Sequence, residues 1–216
     1  AAAEALIQAN AGTLRSFRTT GSFPFIGPDI VRALAGCPNL TALNIAKTKG
    51  DEAELKAAVA QLAESTHALR VLDCPNSAEF AAVVEQKEPL FLEHLALPTL
   101  ADFSGLRHPR LAQLSTLHLT DILCSSQEQW ITIFSAVTSL PALHTLSLSA
   151  SYKSKDSAVD FRGRSSPASE LSALRFPNLT SLSTNYPLAL LPPLQAPALT
   201  ELTAPVIPAD LPDLMD

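Results

Sequence analysis

Leucines recur along this chain in short groups with the spacing Leu-x-x-Leu-x-Leu. Eight segments keep this spacing, with Phe, Ile, Cys, Thr or Ala in place of some leucines, and they begin at Leu14, Leu40, Leu69, Leu92, Leu114, Leu143, Leu179 and Leu199. Alternate side chains of an extended strand point to opposite faces, so the second and third apolar positions of each segment share one face. The pattern predicts eight short parallel strands, stacked side by side, with one apolar face.

Several of the segments between these strands have the periodicity of amphipathic helices. Residues 51–64 place their apolar side chains on one stripe, and Asp51 and Glu54 have the spacing of a capping box. Further helices are predicted over residues 77–86 and 126–138, after Pro28, and after Pro167 through Leu171 and Leu174. The chain therefore alternates strands with helices or irregular returns, which indicates an α/β fold.

One phrase is repeated almost unchanged. Residues 37–41 are CPNLT and residues 176–180 are FPNLT. Together with the 20 to 36 residues that separate successive first leucines, these motifs resemble the leucine-rich repeat superfamily over Leu14 to Ala204. The irregular repeat lengths resemble the class found behind F-box domains and in some bacterial effectors. The resemblance implies a curved α/β solenoid, with a parallel β-sheet on the concave face and short helices and irregular segments on the convex face.

The same pattern gives a domain organisation. Residues 1–13 are predicted to be an N-terminal capping helix or the remnant of an upstream domain. A leucine-rich repeat domain of about eight irregular repeats is predicted over residues 14–207, with a polar insertion at 149–170 and a C-terminal tail at 208–216.

Composition and charge narrow the classes of partner. The 216 residues are 47% hydrophobic and 17% charged with a formal charge of −6, which indicates a folded protein without the basic face that nucleic acid requires. Three cysteines make a disulfide framework improbable, and no apolar run is long enough for a transmembrane helix. We expect a protein partner, with no nucleic acid, membrane, small-molecule substrate or cofactor, and a cytoplasmic location, or a host cytosol for an effector.

Candidate binding residues lie between the leucines, because these positions face away from the apolar side of the sheet. On the predicted concave face they are Arg18, Asn44, Asp73, His94, Thr116, His118, Thr145 and Ser147. The polar insertion supplies a second set with residue types common at interfaces, namely Tyr152, Lys153, Lys155, Phe161, Arg162 and Arg164.

The same residues could offer two kinds of chemistry besides simple recognition. Asp73, His118 and Ser147 could suggest a hydrolase triad, but Asp73 and His118 lie two strands apart, about 10 Å at a strand spacing of about 4.8 Å. A zinc site from Asp73, His94 and His118 is the other alternative, since imidazole and carboxylate suit zinc. We predict neither a catalytic site nor a metal site, because surface residues of a recognition face account for the pattern more simply.

The predicted function is non-catalytic protein–protein recognition. The resemblance to F-box-linked repeats implies a substrate-receptor repeat domain of a ubiquitin ligase. The alternative is the repeat domain of a bacterial effector that binds a host protein, with any catalytic domain outside this chain.

Overall fold

The centre of the computed structural model is a parallel β-sheet that does not close into a barrel. The structure describes residues 2–19, 25–45, 47–48, 50–73, 91–97, 104–120, 122, 127–149, 174–185 and 194–205. The strands are β1 (Ser16–Arg18), β2 (Phe25–Ile26), β3 (Ala42–Asn44), β4 (Lys47–Thr48), β5 (Val71–Asp73), β6 (His94–Leu97), β7 (Thr116–Leu119), β8 (Thr145–Leu148), β9 (Leu174–Arg175), β10 (Ser181–Thr184), β11 (Leu194–Gln195) and β12 (Glu201–Thr203).

The eight strands of the main sheet follow the order of the chain, β1-β3-β5-β6-β7-β8-β10-β12, and every neighbouring pair is parallel. The predicted α/β fold with eight parallel strands is therefore confirmed. The register aligns the second apolar position of every segment into one row, which we call the leucine row: Phe17, Leu43, Leu72, Leu95, Leu117, Leu146, Leu182 and Leu202.

The core lies against the leucine row. Its six central members are at most 3% exposed, whereas Leu202 in the last strand is 50% exposed. The first leucines of the six segments from Leu40 to Leu179 are buried as well, at no more than 2% exposure. Two apolar side chains per strand thus meet across neighbouring strands, and their burial is the main stabilising contribution to this sheet.

Helices α1 (Ala2–Ala9), α2 (Pro28–Ala35), α3 (Glu52–Ser65) and α4 (Gln127–Val137) occupy four of the segments outside the main sheet. Pro28 opens α2, as predicted. The carboxylate of Asp51 caps α3 by accepting hydrogen bonds from the backbone N–H groups of Ala53 and Glu54, at 3.0 and 3.1 Å. Two 3₁₀ turns precede β7, at Ser104–Arg107 and at Pro109–Leu111.

Two small parallel sheets were not predicted. Strand β2 pairs with β4, and β9 pairs with β11. The prediction of a helix through Leu174 is wrong, because Leu174 lies in β9 and pairs with Leu194. The rest of that predicted helix, residues 167–173, lies outside the described residues. The helix predicted over residues 77–86 and the predicted tail at 208–216 lie outside them as well.

The phrase CPNLT holds its strand to the preceding one through two side chains. The Nδ2 of Asn39 donates to the carbonyl oxygen of Gly12 at 2.8 Å, and the hydroxyl of Thr41 donates to that of Arg15 at 3.0 Å. Between them Leu40 is fully buried. We call residues 39–41 the first clasp.

The phrase FPNLT makes the same two contacts. Asn178 donates to the carbonyl of Pro141 at 2.8 Å, and Thr180 donates to that of His144 at 3.1 Å. In both clasps, one acceptor lies two residues before the first leucine of the preceding segment and the other lies one residue after it. The bonds of the two clasps are therefore equivalent. Residues 178–180 form the second clasp, and the recurrence of the phrase has a structural cause.

A backbone ladder runs beside the clasps along the same end of the sheet. The carbonyl of His144, for example, accepts the N–H groups of Thr180 and Ser181 at 2.8 and 3.0 Å. The carbonyls that accept two such bonds from the next strand are those of Arg15, Thr41, Arg70, Glu93, Ser115, His144 and Thr180. This ladder fixes the spacing of the strands whatever the side chains are.

Candidate binding face of the sheet

The face opposite the leucine row carries two further rows of side chains in register. Its polar row consists of Arg18, Asn44, Asp73, Ala96, His118, Ser147, Ser183 and Thr203. Its second row consists of Ser16, Ala42, Val71, His94, Thr116, Thr145, Ser181 and Glu201. We call both rows together the polar face. The structure places all eight residues that the sequence proposed for the sheet on this face.

These eight side chains differ in exposure. Arg18 and His94 are exposed, and Thr116 is only 8% exposed. The remaining five are half-buried, namely Asn44, Asp73, His118, Thr145 and Ser147. Seven of the eight side chains are therefore at least partly accessible, whereas Thr116 acts mainly as a packing residue.

Asp73 is held by its neighbours on the polar row. Its carboxylate accepts a short hydrogen bond from the side-chain amide of Asn44 on the adjacent strand. Burial raises the pKa of the Asp73 carboxyl above its ordinary value of 3.8, and the positive charge of Arg18 opposes part of this increase. Arg18, Asn44 and Asp73 thus form a polar group across three neighbouring strands.

His94 and His118 meet on adjacent strands. Their ring centres are 6.0 Å apart and their planes are inclined by 28°. Burial, and then the nearby His94, lower the pKa of His118 below its ordinary value of 6.5. Both effects favour the neutral form of the His118 imidazole. Neither imidazole has a hydrogen-bond partner among the described residues.

An aromatic and ionic cluster borders the polar face at the end where β5 and β6 begin. The guanidinium of Arg70 lies 5.6 Å from the centre of the Phe91 ring and 3.5 Å from the carboxylate of Glu93. Phe91 and the nearby Val71 on β5 are each 39% exposed. This cluster was not predicted from the sequence, although Phe91 stands directly before a first leucine, where both clasps have asparagine, and that difference was a usable signal.

The part of the face formed by β8, β10 and β12 has a different side-chain composition. Its side chains are mostly small and hydroxyl-bearing, as in Thr145, Ser147 and Ser183. The six candidate residues of the polar insertion, Tyr152 to Arg164, lie outside the described residues.

The geometry brings together some of the residues that a catalytic or metal site would need, and separates others. Ala96 stands between Asp73 and His118 in the polar row, and Asp73 is bonded to Asn44. His118 and Ser147 are direct neighbours across β7 and β8. Within the described part of the chain, no group of three His, Cys, Asp or Glu side chains is placed to hold a metal ion. The arrangement offers hydrogen bonding and contact area.

No protein-family model matches the chain, and no curated protein is significantly similar to it. In the described residues, no helix has the length and apolar character needed to cross a membrane. The polar face itself is therefore the basis for assigning a function.

Proposed function

We propose that the chain is a leucine-rich repeat solenoid whose polar face is concave and binds another protein without catalysing a reaction. The observation that carries this proposal is the continuous register of eight strands, which presents two parallel rows of side chains along the whole sheet. Stacks of this kind expose one long surface because each unit contacts only its neighbours.

The length of the face favours a macromolecular partner. Seven intervals of about 4.8 Å between eight strands give a strip about 34 Å long. Small-molecule sites are instead closed concave pockets that surround most of the ligand. A strip of this length suits a segment or surface of another protein, which typically covers about 800 Å² on each side of an interface.

The larger part of the face, formed by β1, β3, β5, β6 and β7, carries arginine and borders an exposed aromatic residue, which are types that contribute strongly to protein interfaces. Arg18, His94 and His118 lie there, and Val71 and Phe91 add exposed apolar area beside them. Interface energies concentrate in a few aromatic and arginine side chains, surrounded by near-neutral contacts. We assign the anchoring contacts to this larger part and a supporting role to the Ser- and Thr-rich part formed by β8, β10 and β12.

The narrower proposal is that the chain is the substrate-receptor part of an F-box-type ubiquitin ligase. This narrower proposal is supported by the resemblance of the repeat pattern to F-box-linked repeats. It needs its own test, because a fold does not by itself define a function. The face would then bind the protein that is to be ubiquitylated.

Partner capture with a charge-reversed face tests the proposal. Eukaryotic lysate is passed over the immobilised chain, over the double variant Arg18→Glu with His118→Glu, and over a control. The control is Lys56→Glu with His67→Glu, which makes the same two chemical changes at exposed positions in and after α3. Bound proteins are quantified by mass spectrometry.

We expect the wild type and the control to retain a common set of proteins that the face variant loses. Each buried interfacial charge that is left unpaired costs about 2–5 kcal/mol, enough to abolish capture of a moderate binder. Retention of the same set by all three proteins would exclude the polar face as the binding surface. Urea unfolding of each variant separates loss of binding from loss of folding.

A further inference from the structure

The two imidazoles on the polar face have the separation of a pair that shares a metal ion. Bonds from zinc to histidine nitrogen are about 2.0–2.1 Å, so two imidazoles on one ion have ring centres about 5–6 Å apart. The ring centres of His94 and His118 are 6.0 Å apart. The two rings are stacked with their planes inclined by 28°, so a side-chain rotation has to bring one nitrogen of each ring to a common position.

Within the part of the chain that the structure describes, no ring nitrogen of the pair has a hydrogen-bond partner. The neighbouring carboxylates have partners of their own, because Asp73 accepts from Asn44 and Glu93 is paired with Arg70. The neighbour of His118 in the polar row on β6 is Ala96, whose methyl group occupies little space beside the imidazole.

We propose that His94 and His118 form a two-histidine site for a divalent transition metal ion such as Zn²⁺ or Ni²⁺, with water in the remaining coordination positions. Imidazole nitrogen suits these ions better than it suits Mg²⁺ or Ca²⁺, which prefer oxygen ligands. The open positions distinguish it from a closed structural zinc site with four protein ligands. This inference does not depend on the proposed function.

Calorimetric titration of the tag-free chain with ZnCl₂ tests the site. The variants are His94→Gln and His118→Gln, and His67→Gln, at an exposed turn after α3, is the matched control. We expect one saturable site per chain in the wild type and the control. Either substitution in the pair should weaken binding at least about tenfold, which corresponds to about 1.4 kcal/mol.

Broadening of proton signals by paramagnetic Ni²⁺ gives an independent measurement. At low metal content the imidazole protons of His94 and His118 should broaden first, and the two variants assign those signals. If His118→Gln does not fold, His94→Gln at the more exposed position still decides the question. Binding that is not saturable, affinity that is unchanged in both variants, or broadening that begins at another histidine would each overturn the proposal.

Discussion

The second clasp allows the contributions of a buried side chain and two surface hydrogen bonds to be compared within three consecutive residues. Leu179 is fully buried. Its truncation in Leu179→Ala removes apolar contacts and leaves a cavity, which costs about 2–5 kcal/mol in a core that cannot collapse. The two flanking polar side chains lie at the surface, so water competes for their bonds.

The hydrogen bonds of Asn178 and Thr180 indicate which of their two substitutions should cost more stability. Asn178→Ala removes the 2.8 Å bond to the carbonyl of Pro141, an exposed residue where water can replace the lost donor, so the loss should be about 0.5–1 kcal/mol. Thr180→Val removes the bond to His144, but that carbonyl keeps two backbone N–H donors. We expect Thr180→Val to cost at most about 0.5 kcal/mol.

Urea unfolding measures this series through the midpoint and the slope of each transition. The first clasp is the internal control, since Leu40→Ala, Asn39→Ala and Thr41→Val change equivalent contacts. Both clasps should rank the leucine first, the asparagine second and the threonine last. An asparagine or threonine substitution that costs as much as the leucine substitution would contradict this ranking, and so would different orders in the two clasps.

Two further predictions follow from burial and charge. Leu146→Ala should destabilise the chain by about 2–5 kcal/mol, whereas Leu202→Ala in the same row should cost less than half as much, because Leu146 is fully buried and Leu202 is 50% exposed; equal shifts of the urea midpoint would contradict this. The lowered pKa of His118 means that the unfolded chain takes up a proton more readily, so His118 contributes stability above pH 6.5 that is lost as the pH falls to its folded-state pKa. His118→Gln should therefore reduce the loss of stability between about pH 7.5 and about pH 5, and an unchanged pH dependence of the unfolding midpoint would refute it.

The main sheet could be predicted from the sequence because its register is encoded in the leucines. Each strand has apolar residues at alternate positions, and a slip of one residue would turn Leu117 or Leu146 towards the polar face. Recurrence of the same spacing in eight segments left parallel stacking as the simplest way to bury them together. The positions of the polar-face residues follow from the same alternation.

The small sheets could not be predicted on this basis. Strands β2 and β4 are each two residues long, and so are β9 and β11. Such pairs are too short for a side-chain period and are held by backbone hydrogen bonds that any residue except proline can supply. Leu174 carries no signal that separates a helix end from a two-residue strand.

Contacts within the polar face were unpredictable for a different reason. Alternation places His94 and His118 on one face, but their approach depends on side-chain rotamers across a diagonal of two strands. The bond between Asn44 and Asp73 likewise depends on two half-buried side chains turning towards each other. Both contacts depend on tertiary structure, and the spacing of residues in the sequence does not indicate either of them.

The clasps explain why a phrase recurs when the fold does not require it everywhere. The backbone ladder joins neighbouring strands through the residue after the first leucine in every copy, with or without a hydroxyl there. Where that residue is Ser or Thr, its hydroxyl bonds the same carbonyl as its own backbone N–H; Ser115 bonds Glu93 at 3.0 Å and Thr200 bonds Thr180 at 3.1 Å. Arg70 and Glu93 occupy the equivalent positions in their copies and form an ion pair with each other instead. The side chain at this position is therefore free to vary between copies, because the main chain already sets the strand spacing.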